Sequence, residues 1–229
     1  MEGPLLGRSI SFVERWLAEI AAKASAVATV GGTAAATSAE TMKQKSNKQV
    51  TKQMAKPADV GSSMSKCQFL VGKVKTARPH PESQKLYIEE IDLGEAAGGE
   101  RTILSGLQDH VAREDFEGRL VLVIANLEPR KIAGIPSAGM VLCASAVDGD
   151  SRKVVLLDIP EGTPVGERVV FDGHDGPFEP VLKKKLAKHF EEVAAELRTN
   201  EKGEVVWRGL PFRTSCGVIT AKIPNGIVS

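Results

Sequence analysis

Between Phe69 and Phe171 the chain is a succession of short β-branched runs: FLVGKVKTA, LYIEEIDL, RTILSG, RLVLVIANL, AGMVLCAS, KVVLLD and ERVVF. Glycine, proline, asparagine or aspartate punctuates them at intervals of about a dozen residues, which is the pattern of an all-β barrel or sandwich. Arg119 to Ala125 is almost continuously apolar, as expected of a strand covered on both faces. The polar segment VAREDFEG interrupts the series and has room for one helical turn. A five-stranded Greek-key barrel with such a connector is the OB arrangement.

The period changes on either side of these runs. After Pro180, Leu182, Leu186, Phe190, Val193 and Leu197 recur at helical spacing and predict a helix of about four turns. Lys183, Lys184 and Lys185 stand at its start, where positive charge opposes the helix dipole. Such a placement points to a contact for the charge; the alternative is a solvated helix face. GEVVWRGLPF and CGVITAKI then read as strands closing a small second unit. Before the barrel, Val13, Trp16, Leu17, Ile20, Ala24 and Val27 mark an amphipathic helix that has no core of its own. Lys43, Lys45, Lys48, Lys52 and Lys56 follow in a stretch without acids, too poor in apolar surface to offset its ordering entropy. The expected organisation is an amphipathic helix over 1–30, a flexible lysine-rich linker over 31–65, an OB barrel over 66–172 and an α+β extension over 173–229. The fold class is mainly β.

Charge and composition exclude several function classes. Thirty basic side chains face 29 acids, a net charge of +1, so no whole-chain basic signature marks a nucleic-acid binder. Residues 1–65 carry 8 basic and 5 acidic side chains, 66–172 carry 13 and 17, and 173–229 carry 9 and 7. Any basic partner surface must therefore come from charge segregated to one face or from the segments flanking the barrel. No apolar run approaches the roughly 20 residues of a membrane span, so a soluble protein is expected, with no membrane partner. Cys67, Cys143 and Cys216 form neither a disulfide framework nor a metal knuckle, and a reducing compartment is the simpler reading. A cytoplasmic location is expected. The Ala, Ser and Thr content of residues 1–65 leaves organelle targeting open, and Glu2, Glu14 and Glu19 argue against it.

Catalytic constellations are weak. GIPSAG around Ser137 has one residue too many for a nucleophile elbow. His80, His110, His174 and His189 lack ligand spacing and read as turn or surface histidines. Period two splits Glu89 and Glu90 across the faces of a strand, and Gly98-Gly99 reads as a hairpin turn. No catalytic residue, cofactor or metal is expected. The barrel offers few aromatic platforms for single strands: Phe69, Tyr87, Phe116 and Phe171 read mostly as core, with Tyr87 the best candidate for exposure.

The run HPESQKLYIEEIDLGE, then RTILSGL, then NLEPRKIAGIPSAGMVLCAS resembles the EMAP II-like tRNA-binding domain. That family includes synthetase-associated cofactors, C-terminal domains of some methionyl- and tyrosyl-tRNA synthetases, and free-standing bacterial tRNA-binding proteins. The resemblance covers about residues 66–229, and the long C-terminal part is similar to the eukaryotic type. It implies an OB barrel with a pseudo-dimeric extension, a monomeric core and binding to the outside corner of folded tRNA. Its motif falls on Asn126, Pro129, Lys131, Gly134, Ser137 and Met140, with Ser137 and Met140 most directly implicated in tRNA contact. Arg78, Lys85, Arg101 and Arg130 would add charge on the same side. Glu128 and Ala133 stand where Lys and Arg are common in the family, and Ala138 takes the usual Gln position. SFVERWLAEI resembles the closing helix of glutathione-transferase-like domains, which would make residues 1–30 a remnant of one; the alternative is a marginal helix that binds nothing.

The expected function is non-catalytic: recognition of folded tRNA by shape and backbone contacts, with delivery to a partner aminoacyl-tRNA synthetase, methionyl-type or other, tethered through the N-terminal segment. The Lys43–Lys56 tail and Lys183–Lys185 would act as extra clamps. The alternatives are a scaffold of a multi-synthetase complex with weak RNA affinity, or a released signalling polypeptide.

Overall fold

The computed structural model describes residues 61–229, apart from 149, 150 and 175. The expected helix over 1–30 and the lysine-rich stretch up to residue 60 lie outside the described residues.

Strand β1 (Phe69–His80) is the hub, long enough to serve two partners on one side. Its second half pairs antiparallel with β2 (Ser83–Asp92), from Lys73 opposite Asp92 to His80 opposite Ser83. Its first half pairs with β4 (Leu120–Ile124), Phe69 lying opposite Ile124. The β2 side of that first half is filled by the ERVVF run. Val71 N–H donates to Glu167 O (2.9 Å) and Val169 N–H to Phe69 O (3.0 Å). Gly72 is required here, because a Cβ would meet Ile91 and Leu93 side-chain carbons at 2.7 Å.

β3 (Glu100–Ser105) adds to β2, and β7 (Met140–Val141) adds to β4, giving the order β3-β2-β1-β4-β7. The two edges meet: β3 and β7 are in contact, and Ala138 N–H donates to Thr102 O at 3.0 Å. This closes the expected OB-like barrel. Gly98 and Gly99, both at positive φ, turn the chain between β2 and β3. VAREDFEG supplies one helical turn, Arg113–Phe116, whose Phe116 plugs the barrel core.

β8 (Cys143–Asp148) and β9 (Ser151–Leu156) leave the barrel for a second sheet, with β10 (Leu197–Thr199), β11 (Val205–Trp207), β12 (Leu210–Pro211) and β15 (Ile227–Val228), while β13 (Arg213–Thr214) and β14 (Gly217–Val218) pair as a separate hairpin. The order of the second sheet is β12-β11-β10-β15-β8-β9. Period two along β4 feeds two cores at once. Val121, Val123 and Ala125 point into the barrel with Tyr87, Ile91, Ile103 and Val141. Leu122 and Ile124 point out, into a core shared with Phe69, Phe171, Phe190, Trp207 and Phe212. In this second core the Phe171 and Phe212 rings meet edge-on at 4.7 Å, a geometry worth about 0.5–1.5 kcal/mol beyond area burial. The almost wholly apolar RLVLVIANL run is thus a strand between two cores.

Two expectations change. The helix expected over Leu182–Leu197 is an eight-residue helix, Ala187–Ala194, preceded by a tight turn over Lys184–Leu186. Leu182 instead bridges Leu127 in parallel, its N–H held by Asn126 O at 2.6 Å, and Leu197 belongs to β10. All five apolar side chains pack in the second core or against it, so shared burial imitated helical period. Tyr87 is not exposed: it is 5% accessible and its hydroxyl donates to Val111 O.

The described chain begins with a pinned turn, Ser63–Lys66. Met64 and Cys67 are buried in the second core. Ser62 Oγ lies 2.6 Å from His174 Nδ1, and Ser63 Oγ lies 3.0 Å from His189 Nδ1. Two of the four histidines therefore tie this entry point to the C-terminal unit.

Candidate functional site

The segment PRKIAGIPS folds into a small hairpin, β5 (Arg130–Ile132) and β6 (Ile135–Ser137), with Ile132 opposite Ile135. Its two turn residues are Ala133 at φ 46° and Gly134 at φ 85°, the conformation a two-residue turn needs to match strand twist. Gly134 takes it freely; Ala133 adopts a left-handed geometry that costs an L-residue roughly 1–2 kcal/mol.

The surroundings hold that turn in place. His80, expected at the surface, is only 5% exposed. Its Nδ1 accepts from Glu82 N–H at 3.1 Å, which leaves Nε2–H to donate to Ala133 O at 3.2 Å. At the hairpin's other end Ser137 is also 5% exposed. Its hydroxyl donates to Gly139 O at 3.2 Å and accepts Leu104 N–H at 3.1 Å, fixing β6 to β3. Arg130 and Lys131 are the hairpin's exposed side chains on β5, and neither forms an ion pair among the described residues.

Asn126 sits 2% exposed at the base. Its amide oxygen accepts Gln68 N–H at 2.9 Å, and its NH2 group donates to Lys66 O at 2.9 Å and Glu179 O at 2.7 Å. The side chain therefore joins three chain segments, buried and with both its NH2 donors spent within the protein. The Asn126 backbone oxygen, by holding Leu182 N–H, also fixes where Lys183–Lys185 begin. Lys183 and Lys185 are exposed.

Arg130, Lys131, Ser137 and Met140 line one cleft of about 490 Å3 between the barrel and the C-terminal unit. Leu182 and Phe190 form part of its far wall, so the lysine turn begins beside it. Arg78 is exposed on β1, two residues before the His80 anchor. Lys85 is exposed at the start of β2, where its carbonyl accepts Gln108 N–H, next to Leu107 of the cleft. Arg101 is committed inward, donating to Ala125 O and Ala97 O, both at 2.6 Å.

The structure brings further residues to this region: Ser105 and Arg152, the anchoring His80 in place of a surface histidine, and above all Glu89, whose strand face is the dry one. Glu89 is fully buried, and its Oε1 accepts a hydrogen bond from Ser105 Oγ. Desolvation pushes its carboxyl up to about 8, with Ser105 opposing, so at neutral pH it is largely the neutral acid. Burial, and then Glu89, push the Cys143 thiol up to about 12; Arg152 and Arg119 oppose. The signal for Glu89 lay in its alternation with Tyr87 and Ile91, all three on the barrel side of β2.

Residues 69–168 match the family described as "Putative tRNA binding domain". The chain is 40% identical over 168 residues to a rice protein named probable methionine–tRNA ligase, covering 73% of this chain and 20% of that one. It is 37% identical over 158 residues to the Chinese hamster aminoacyl tRNA synthase complex-interacting multifunctional protein 1, covering 69% of this chain and 41% of that one. It therefore spans less than half the length of either relative. The crystal structure of the C-terminal domain of Plasmodium vivax p43 superposes with a TM-score of 0.65 at 30% identity, covering 72% of this chain and 98% of that domain.

Proposed function

The chain belongs to the EMAP II-like tRNA-binding domain family, and on that premise we propose that it is a non-catalytic cofactor that holds folded tRNA for an aminoacyl-tRNA synthetase. The observation that carries this reading is the cationic hairpin: Arg130 and Lys131 project from a turn fixed at one end by His80 and at the other by Ser137. Fixed cations on a rigid platform suit phosphates held at set spacing, as on a folded RNA.

Arg130 and Lys131 would contact the backbone, with Met140 beside them and Lys183, Lys184 and Lys185 extending the charge along the cleft's far side. Arg78 and Lys85 would add to the barrel side. Asn126, Ser137 and Arg101 serve this face as positioning residues, since their polar atoms are engaged within the protein. The burial of the barrel aromatics supports shape recognition over single-strand stacking. The tail Lys43–Lys56 would raise local tRNA concentration, the N-terminal segment would tether the synthetase in the cytoplasm, and the core would act as a monomer. The relatives named for synthetases and for a synthase complex support that partnership.

Aminoacylation kinetics test it. Adding the full chain to its cognate synthetase is expected to lower the apparent KM for tRNA with little change in kcat. Unchanged KM across the methionyl, tyrosyl and other synthetases of the same source would overturn the delivery role.

A further inference from the structure

The cleft beside the hairpin has features that backbone contacts leave unused. Its lining is largely apolar, with Leu107, Val154, Leu182 and Phe190 around about 490 Å3, a volume within the range of small-ligand sites and larger than one side chain needs. Arg130, Lys131 and Arg152 stand at it, with Glu128 and Glu191 the acidic side chains of its lining. Arg152 is exposed and forms no ion pair among the described residues; its guanidinium donates to Ser145 Oγ at 3.2 Å.

A polar feature interrupts the apolar lining. Ser105 and Cys143 line the cleft, and the fully buried Glu89 carboxyl is bonded to Ser105. Its second oxygen, Oε2, has no hydrogen-bond partner among the described residues. A buried unsatisfied carboxyl oxygen is costly and is seldom kept without a function. Barrel packing gives it none, since its neighbours along β2, Tyr87 and Ile91, are core residues. Because the Ser105 hydroxyl proton is spent on Glu89, the oxygen that Ser105 brings to the cleft lining is left as an acceptor. A lipid chain or an aliphatic side chain would leave that acceptor unmatched. A nucleobase offers two flat apolar faces, N–H groups on its edge, and a phosphate at sugar distance.

We propose that this cleft is a pocket for one unstacked nucleotide, with the base between the apolar walls, its N–H edge at Ser105, and its phosphate at Arg130, Lys131 and Arg152. The proposal rests on the reading of the chain as an RNA binder and deepens it, adding Ser105, Arg152 and the apolar walls to the hairpin. The nucleotide is either a residue extruded from folded tRNA or a free one; both present the same chemistry.

The test uses the full chain with 13C-labelled methionine methyl groups. Met140 lines the cleft, and Met64, buried in the second core, reports only on fold integrity. Titration with AMP, GMP, CMP and UMP is expected to shift Met140 saturably, in the millimolar range or tighter, and to leave Met64 in place. Arg152→Gln is expected to weaken the nucleotide roughly tenfold, as loss of a charge-assisted contact does. Val154→Trp, which fills the cleft, is expected to abolish the shift, with an unmoved Met64 signal showing that the fold survives. If folded tRNA displaces the mononucleotide, the occupant comes from the RNA; if both bind together, it is a free nucleotide, and either result supports the pocket. A Met140 signal unmoved by every mononucleotide, or moved equally in both variants, overturns it. Filter binding of tRNA on the same samples separates the two readings: tRNA retained with a silent Met140 removes the pocket alone, and loss of both removes the RNA reading as well.

Discussion

The buried imidazole of His80 donates from Nε2 to the carbonyl oxygen of Ala133, 3.2 Å away, and so ties the end of β1 to the tip of the hairpin that carries Arg130 and Lys131. Glu82 N–H occupies Nδ1 and selects the tautomer that can make this bond. A local turn after β1 thereby sets the position of two cations about 50 residues later in the chain.

His80→Leu keeps the volume approximately and removes both bonds. Stability is expected to fall by about 1–3 kcal/mol, the loss of two part-buried hydrogen bonds at about 0.5–1.5 kcal/mol each. Amide exchange over residues 130–137 should accelerate, and tRNA affinity should fall although His80 is not at the surface. Equal exchange rates in the two proteins would remove His80 as the anchor.

Ala133 is a second lever on the same turn. Ala133→Gly relieves the left-handed strain at φ 46° and is expected to raise stability by up to about 1 kcal/mol. Ala133→Val should cost at least as much in the other direction. Urea unfolding midpoints at constant m-value decide the matter; a glycine variant less stable than the parent would contradict the assigned strain.

The strand series, the helical turn at Arg113 and the two-faced burial of β4 were legible in the sequence because each is written in local period and punctuation. The closing lysine-bearing helix was legible only in part, since Leu182, Phe190 and Leu197 share a core without sharing a helix. Of the candidate site, Arg130 and Lys131 are exposed on β5. Asn126 and Arg101 have the polar character of contact residues, yet their hydrogen bonds run to backbone groups remote in sequence. Glu89 was hidden for a similar reason: alternation separates it from Glu90, but only the closed barrel shows which face is dry.

Glu89 makes stability depend on pH. Its ordinary value of 4.5 is raised to about 8 in the folded chain. Below 4.5 both states hold the proton and the burial is cheap. Between about 4.5 and 8 the unfolded chain releases its proton while the folded chain keeps it, so stability falls as pH rises. Glu89→Gln removes that contribution: it should match the parent near pH 4.5 and exceed it by pH 8.5, below the range in which Cys143 titrates. Parallel stability curves for the two proteins from pH 4.5 to 8.5 would show that Glu89 is not a buried neutral acid.

Asn126→Ala strands Gln68 N–H and Glu179 O and leaves Lys66 O with Glu179 N–H as its remaining donor. A loss of about 2 kcal/mol or more is expected, since each stranded group costs about 1–3 kcal/mol. An alanine variant of full stability but reduced tRNA affinity would instead make Asn126 a direct contact.

The central claim is that folded tRNA is held by cations fixed on the hairpin, with the lysine tail as an accessory. The most direct measurement is a salt-dependent titration of the full chain with folded tRNA and with single-stranded RNA. It is repeated on Arg130→Gln/Lys131→Gln and on a chain with Lys43, Lys45, Lys48, Lys52 and Lys56 changed to Gln. The account predicts preference for folded tRNA that survives the tail substitutions with a shallower salt slope. It also predicts loss of that preference in the hairpin pair, with the slope reduced by roughly 0.7–0.9 per charge removed. Equal binding of both RNAs, or affinity that disappears with the tail and is indifferent to the hairpin, would contradict it.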